Sequence, residues 1–425
     1  MATGDGRRNS KSLHDFELVY SGKLSKLDVL NRRPLFQKVH VHAPDTRNAL
    51  YFGENLDVLL HLLHDKSLRG KVDLVYIDPP YASQSIFNSR DQTHAYNDLL
   101  VGTEYIEFIR QRLIVIHELL KNTGSIYVHV DQRMGSYVRL ILDEIFGPEN
   151  FRNEITRKKC NPKNYTKNNY GNISDVIFFY SKSATYTWNR PYSAWGSENS
   201  EKEYSNIEKG TGRRFKKVPI HAPGVRNGAT GGEWRGKLPP PGKHWQYTPA
   251  RLDEMDSRGE IYWSPSGNPR RKVYLDQSSG IPVQDIWLDV KDAHNQNIEI
   301  TGYPTEKNPD LLRRIIEASS NPGDLVLDCF AGSGTTAHQS VVLNRDWIAI
   351  DESEQSILTI IKRLKYGLYP MGDFVTSSNK SKKKRTNEST ANTKNENFYT
   401  CHDLPYNISS ALVLPVSVLS LLELR

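Results

Sequence analysis

Apolar and polar positions alternate in two different ways along this chain, and the change of rhythm divides it. From residue 50 to about 180, short apolar runs of strand length are separated by stretches with helical period. The pattern predicts a helix over 55–63, a buried strand over 72–77, an amphipathic helix over 103–119 and a strand over 125–130. A helix over 137–146 and a strand over 175–180 follow. The same rhythm resumes after residue 300, with a helix over 309–320, a strand over 324–330, a helix reaching about residue 343 and a strand over 347–350. Such alternation predicts a doubly wound α/β sheet. One Rossmann-like domain is therefore expected from two separated segments, 50–180 and 300–370.

Between them, residues 181–299 lose the periodicity and fill with Gly, Pro, Tyr and basic residues, and six of the seven tryptophans fall there. Most of those tryptophans are expected to form the insertion's own small core. Arg213, Arg214, Arg270, Arg271 and Lys272 are the candidate contacts to a nucleic acid, since guanidinium and ammonium groups engage phosphates while nearby planar groups stack on bases. Residues 1–49 read as a polar lead-in. Residues 371–400, with Lys380, Lys382, Lys383, Lys384 and Arg385, are too poor in apolar side chains to fold alone. The apolar tail at 401–425 has no readable role.

Composition narrows the class only moderately. A chain of 425 residues exceeds what one core usually organises. A net charge of +7 suits a polyanionic partner. The three cysteines, Cys160, Cys329 and Cys401, are far apart, so neither a disulfide framework nor a metal site is expected. No apolar run reaches membrane-spanning length, and a cytoplasmic protein with no membrane partner is expected.

The chemistry concentrates in two places. Asp78-Pro79-Pro80-Tyr81 closes the strand at 72–77, where open α/β sheets place their active sites. Two prolines stiffen the loop and leave its carbonyls free to accept. A carboxylate, those carbonyls and an aromatic face together suit a planar group bearing an exocyclic NH2, such as adenine or cytosine. Downstream, the strand ending in Asp328 leads into Cys329-Phe330-Ala331-Gly332-Ser333-Gly334-Thr335-Thr336 and a helix. Glycines at 332 and 334 allow a close backbone approach to a ligand, and the helix start offers unpaired N–H groups. A third glycine and a Gly-Lys-Ser/Thr are both missing, against dinucleotide and P-loop readings. Asp351 lies about 20 residues past the glycines, where such units place an acid on ribose hydroxyls.

These two motifs, in this order, resemble the permuted β group of the S-adenosylmethionine-dependent amino DNA methyltransferases, home also to the modification subunits of type III restriction systems. Segments 124–131, 142–147, 151–155 and 303–307 are similar to further motifs of that family, in the expected sequence. The resemblance implies S-adenosylmethionine as cofactor, held by Asp328, Phe330, Gly332, Gly334 and Thr335, with Asp351 on the ribose. It implies the same for Lys307, although relatives often have proline directly after this lysine and here Asn308 intervenes. It implies catalysis by Asp78, Pro79, Pro80 and Tyr81 on a base flipped out of double-stranded DNA, and a target-recognition role for the insertion. A restriction subunit and a second copy of the chain are its implied further partners. Asp at position 78 favours adenine N6; the alternatives are cytosine N4, or a DNA-binding protein without catalysis.

Overall fold

The computed structural model describes residues 17–34, 40–42, 48–64, 68–80, 86–88, 94–97, 102–162, 168–292, 301, 303 and 306–367. Tyr81, Cys401 and the tail at 371–425 lie outside the described residues. The chain divides into two compact units, residues 190–283 and the remainder.

A nine-stranded sheet organises the larger unit, in the order His40–His42, Ala49–Phe52, Asp346–Asp351, Leu325–Asp328, Val72–Ile77, Leu120–Val130, Ser174–Ser181, Phe151–Lys158, Ile286–Trp287. Its five-strand centre, from Ala49–Phe52 through Leu120–Val130, is parallel throughout. Ser174–Ser181 then runs antiparallel to both of its neighbours. Parallel strands covered on both faces need to be apolar along their whole length, and Val72–Ile77 is buried at every position. The helices Asn55–His64, Thr103–Leu119 and Gln132–Phe146 supply Leu59, Leu62, Leu113, Ile116 and Ile141 to the core that covers Val75, Ile77, Ile126, Leu327 and Ile348.

The alternation expected from the sequence is observed, with instructive differences at two edges. The strand expected at 125 begins at Leu120, which pairs with Val72; a register shift between Val72 and Leu74 passes over residues 121–124, and regular pairing resumes at Ser125. The helix expected at 137 begins at Gln132, where Asp131 caps it by accepting from the backbone N–H groups of Arg133 and Met134. Because Val72–Ile77 and Leu325–Asp328 are parallel neighbours, the loops after both emerge on the same side of the sheet. That adjacency builds the site.

The smaller unit is a four-stranded antiparallel sheet, Asn206–Ile207, Arg214–Pro219, Pro269–Tyr274, Ile261–Trp263, with two two-stranded pieces and the helix Pro249–Ser257 among its other elements. Its core contains Ile220, Trp234, Trp245, Leu252, Met255 and Ile261, with Trp263 packed against it. Trp234 and Trp263 donate their indole N–H groups to Asp253 and Asp256 of the helix at 3.0 and 2.9 Å. Tryptophan at this density serves packing, as expected. Trp188 and Trp287 belong to the larger unit instead, Trp188 stacked on Phe179 and Trp287 in the strand that pairs with Phe151–Lys158. Composition had grouped them with the insertion because the short edge strand Ile286–Trp287 carries no periodic signal.

Candidate active site

A cavity of about 550 Å³ opens where the two loops meet, within the size range of small-molecule sites. Asp78, Pro79 and Pro80 line one side; Asp328, Phe330, Gly332, Thr335 and Asp351 line the other. Residues 250 positions apart in the chain thus share one space, and Lys307 joins them. Glu54, Asn55, Tyr76, Phe108 and Tyr303 also line it, and of these five only Tyr303 falls in a motif segment named above. Glu54 and Asn55 start the helix after Ala49–Phe52; both accept from the buried Arg112, which ties them in place.

The glycine loop owes its shape to two left-handed residues. Gly332 has φ +51° and Gly334 φ +74°, a region that residues with a Cβ avoid. Asp328 is fully enclosed and accepts from Phe330 N at 3.0 Å and Thr336 Oγ1 at 2.6 Å. Asp351 accepts from Gly332 N at 2.8 Å and Ser353 N at 2.9 Å, so this acid braces the loop itself. Burial pushes the Asp328 carboxyl up to about 7 and the Asp351 carboxyl up to about 6, against the partial relief of these hydrogen bonds.

Raised carboxyl pKa values have a consequence for stability. Between pH 4 and 7, roughly, both groups bind more protons folded than unfolded, so their contribution is complete below the unfolded value of 3.8 and is lost as pH rises through 6 and 7. Denaturant unfolding at pH 5 and pH 8 checks this: wild type is expected to lose more stability over the interval than Asp351→Asn, which cannot ionise.

Lys307 stands somewhat apart from the other cofactor candidates. Its Nζ is 2.5 Å from Asp78 Oδ2, so it meets the candidate catalytic carboxylate directly. The intervening Asn308 is explained by helix geometry: fully buried, it caps Pro309–Ser319 through Asp310 N, with Pro309 in the first turn, and donates to Lys291 O at 2.9 Å. Sequence reading missed Arg363, which is enclosed with Glu306 and donates through Nη1 to Glu306 Oε1 at 2.9 Å, Ser333 O at 3.1 Å and Thr335 Oγ1 at 3.0 Å. It staples the helix Glu354–Tyr366 to the glycine loop and to the segment carrying Lys307. Removing one partner of a buried ion pair typically costs about 3–5 kcal/mol, and Arg363→Leu is expected to lose stability in that range by urea denaturation.

The five basic candidates of the smaller unit separate clearly. Arg213 donates twice to Asp276, Arg214 reaches Glu201, Arg271 reaches the Tyr247 hydroxyl and Lys272 reaches Glu208. Arg270 is exposed and has no side-chain partner among the described residues. Strand register puts Arg270 opposite Tyr262, and Lys272 opposite Lys217, on one face of the sheet; Lys217 Nζ sits 3.8 Å from the Tyr262 ring centroid.

Comparison with known proteins agrees with this geometry. The chain is 54% identical over 309 residues to the type II methyltransferase M.EcaI of Enterobacter cloacae, covering 72% of this chain and 68% of that one. It is 28% identical over 341 residues to the StyLTI Mod subunit, a type III restriction-modification enzyme of Salmonella typhimurium, covering 71% of this chain but only 51% of the relative. It is 27% identical over 335 residues to the type II methyltransferase M.KpnI of Klebsiella pneumoniae, covering 70% and 78%. The chain thus spans about half the length of the type III subunit it matches. No helix among the described residues is long and apolar enough to cross a membrane. The family profile for DNA methylases of the N6/N4 type matches residues 72–363, which takes in both motifs, the smaller unit and the Arg363 staple, and the chain belongs to that family.

Proposed function

We propose that this chain methylates the exocyclic N6 of an adenine in double-stranded DNA, drawing the methyl group from S-adenosylmethionine, in the cytoplasm. The observation that carries the reading is the juxtaposition of Asp78 with the glycine loop across one cavity. The residues fit the cofactor: Gly332 and Gly334 open the backbone to its carboxylate end, and the buried carboxyls of Asp328 and Asp351 suit a ligand bearing positive charge. S-adenosylmethionine supplies a methyl group already activated on a sulfonium. The chain's own work is then alignment, because an aromatic amine shares its lone pair with the ring and is a weak nucleophile. Asp78 and the Pro79 carbonyl accept from the amino group, draw the nitrogen toward tetrahedral geometry and stabilise the positive charge that develops on it. Tyr81 stacks on the flipped base. Lys307 holds the Asp78 side chain in position for the amine.

Purified chain incubated with labelled cofactor and duplex DNA, followed by nucleoside mass spectrometry, tests the reading. N6-methyladenine supports it, N4-methylcytosine supports the alternative, and no modified base refutes both.

The smaller unit serves target recognition in this reading, with the face carrying Arg270, Lys217 and Tyr262 toward DNA. Arg270→Ala with Lys217→Ala is expected to weaken DNA binding and to lower the salt slope by about 2, one per lost phosphate contact. Arg213→Ala, already neutralised by Asp276, is expected to change the slope little. Anisotropy titrations at several salt concentrations measure both. A restriction subunit as partner is supported by the type III relatives, and activity without one by the more similar type II enzyme.

A further inference from the structure

Behind Asp78, a row of polar side chains crosses four neighbouring strands of the sheet. Tyr76, His129, Asp175 and Arg157 contribute one side chain from each strand, and none is more than 2% exposed. Tyr76 Oη lies 2.8 Å from His129 Nδ1, and His129 Nε2 lies 2.9 Å from Asp175 Oδ2. Arg157 donates to the same Asp175 oxygen at 3.2 Å, and also to Val290 O and Asp292 Oδ1, each at 2.7 Å. The row ends at the catalytic loop: His129 Nδ1 is 3.9 Å from Asp78 Oδ1, while Lys307 occupies Oδ2.

Interior positions of a sheet are filled more cheaply by Val or Ile than by an imidazole, a carboxylate and a guanidinium. Something other than packing therefore accounts for the row. Although burial opposes it, the His129 ring beside it and the charge of Arg157 hold the Asp175 carboxyl well below the usual carboxylate range. A permanent carboxylate beside Nε2 draws the ring proton to that nitrogen and leaves Nδ1 as the acceptor on the side of Asp78. A bare Nδ1 offers nothing to an ionised Asp78, but it offers a partner to a protonated one.

We propose that His129, acting through Asp78, is the onward acceptor of the proton shed by the methylated amine. As the carbon–sulfur bond breaks and the carbon–nitrogen bond forms, the nitrogen becomes positive. Its N–H bond then breaks to Asp78 Oδ1, and that O–H bond breaks in turn as an N–H bond forms at His129 Nδ1, with the Tyr76 hydroxyl turning away. The imidazolium rests against Asp175, and water takes the proton when product leaves. The 3.9 Å gap closes in the complex, as catalytic hydrogen bonds commonly do on substrate binding. His129 does not itself touch the base.

The inference rests on the methyltransferase reading, so wild-type methylation of duplex DNA is the reference. Steady-state kinetics of His129→Gln are expected to show kcat lowered about ten- to a hundredfold, with KM for cofactor and for DNA within about threefold of wild type. Tyr127→Phe removes a buried hydroxyl from the same strand, one bonded to Ser319 at 2.8 Å and outside both the row and the cavity, and is expected to keep at least about half of the wild-type kcat. Equal losses in the two variants, or a loss in His129→Gln shared between kcat and both KM values, would show a row that merely supports the fold. A His129→Gln enzyme with wild-type kcat would overturn the relay alone. A wild type that methylates no DNA would overturn the relay together with the function beneath it.

Discussion

Asp78→Ala is expected to lower the rate of methyl transfer by at least about a thousandfold while cofactor affinity changes by less than about threefold. The size follows from what the side chain does at the moment of reaction. Removing a single preorganised group that meets developing charge commonly costs about 10²–10³ in kcat. Asp78 is more than one such group, because it also orients the amine whose lone pair must face the incoming methyl. The cofactor side is spared because the glycine loop is held by Asp351, Asp328 and Arg363, none of which depends on Asp78 for a hydrogen bond. Asp78→Asn is a sharper probe. It preserves volume but presents an NH2 to an NH2, and it deprives Lys307 of its carboxylate, so it is expected to be nearly as slow as the alanine variant. Single-turnover methylation together with calorimetric titration of cofactor separates the two quantities; parallel loss of rate and affinity would mean that Asp78 is part of the cofactor site.

The second large effect belongs to Gly334→Ala. At φ +74° a Cβ is strained, and here it would also meet Ile360 Cγ1 at 2.7 Å and Ile360 Cβ at 3.2 Å. Ile360, on the helix Glu354–Tyr366, is fully buried in the core and has no room to recede. Left-handed strain of about 1–2 kcal/mol adds to overpacking of about 1–3 kcal/mol, and the loop is the softest place to release both. Cofactor affinity is accordingly expected to fall by roughly thirtyfold or more, since about 1.4 kcal/mol is a factor of ten. Gly323→Ala is the control. Its φ is +84° but a Cβ there meets nothing within 4 Å, so it carries the strain without the collision and lies away from the cavity. Unchanged cofactor affinity in Gly334→Ala would show that the loop's shape is not what binds.

Much of this arrangement was legible in the chain because it is local. Val72–Ile77 and Thr103–Leu119 coincide with the elements that periodicity predicts, since a buried parallel strand and an amphipathic helix each write their period directly into the sequence. Asp78 and the glycine loop were legible for a related reason, as each is a contiguous motif at a strand end. What stayed hidden depends on partners distant in sequence. Nothing along the chain says that Asp175 and Arg157 sit one and two strands away from His129, or that Arg363 reaches back to Glu306 and Ser333. The basic candidates failed to separate for the same reason: Arg213 and Arg270 look alike in sequence, and only the fold gives one of them an aspartate. The intervening Asn308, which put Lys307 in doubt, is a helix cap, visible as such only once the helix start is known.

The central claim is that Asp78 and the cofactor loop together methylate adenine in duplex DNA. Single-molecule methylation sequencing of plasmid DNA, after expression of wild type and separately of Asp78→Ala in a host without other methylases, tests it most directly. N6-methyladenine at one short motif with wild type, and none with Asp78→Ala, is the predicted result. Plasmid left unmodified by wild type, or methylated equally by both proteins, would contradict the account.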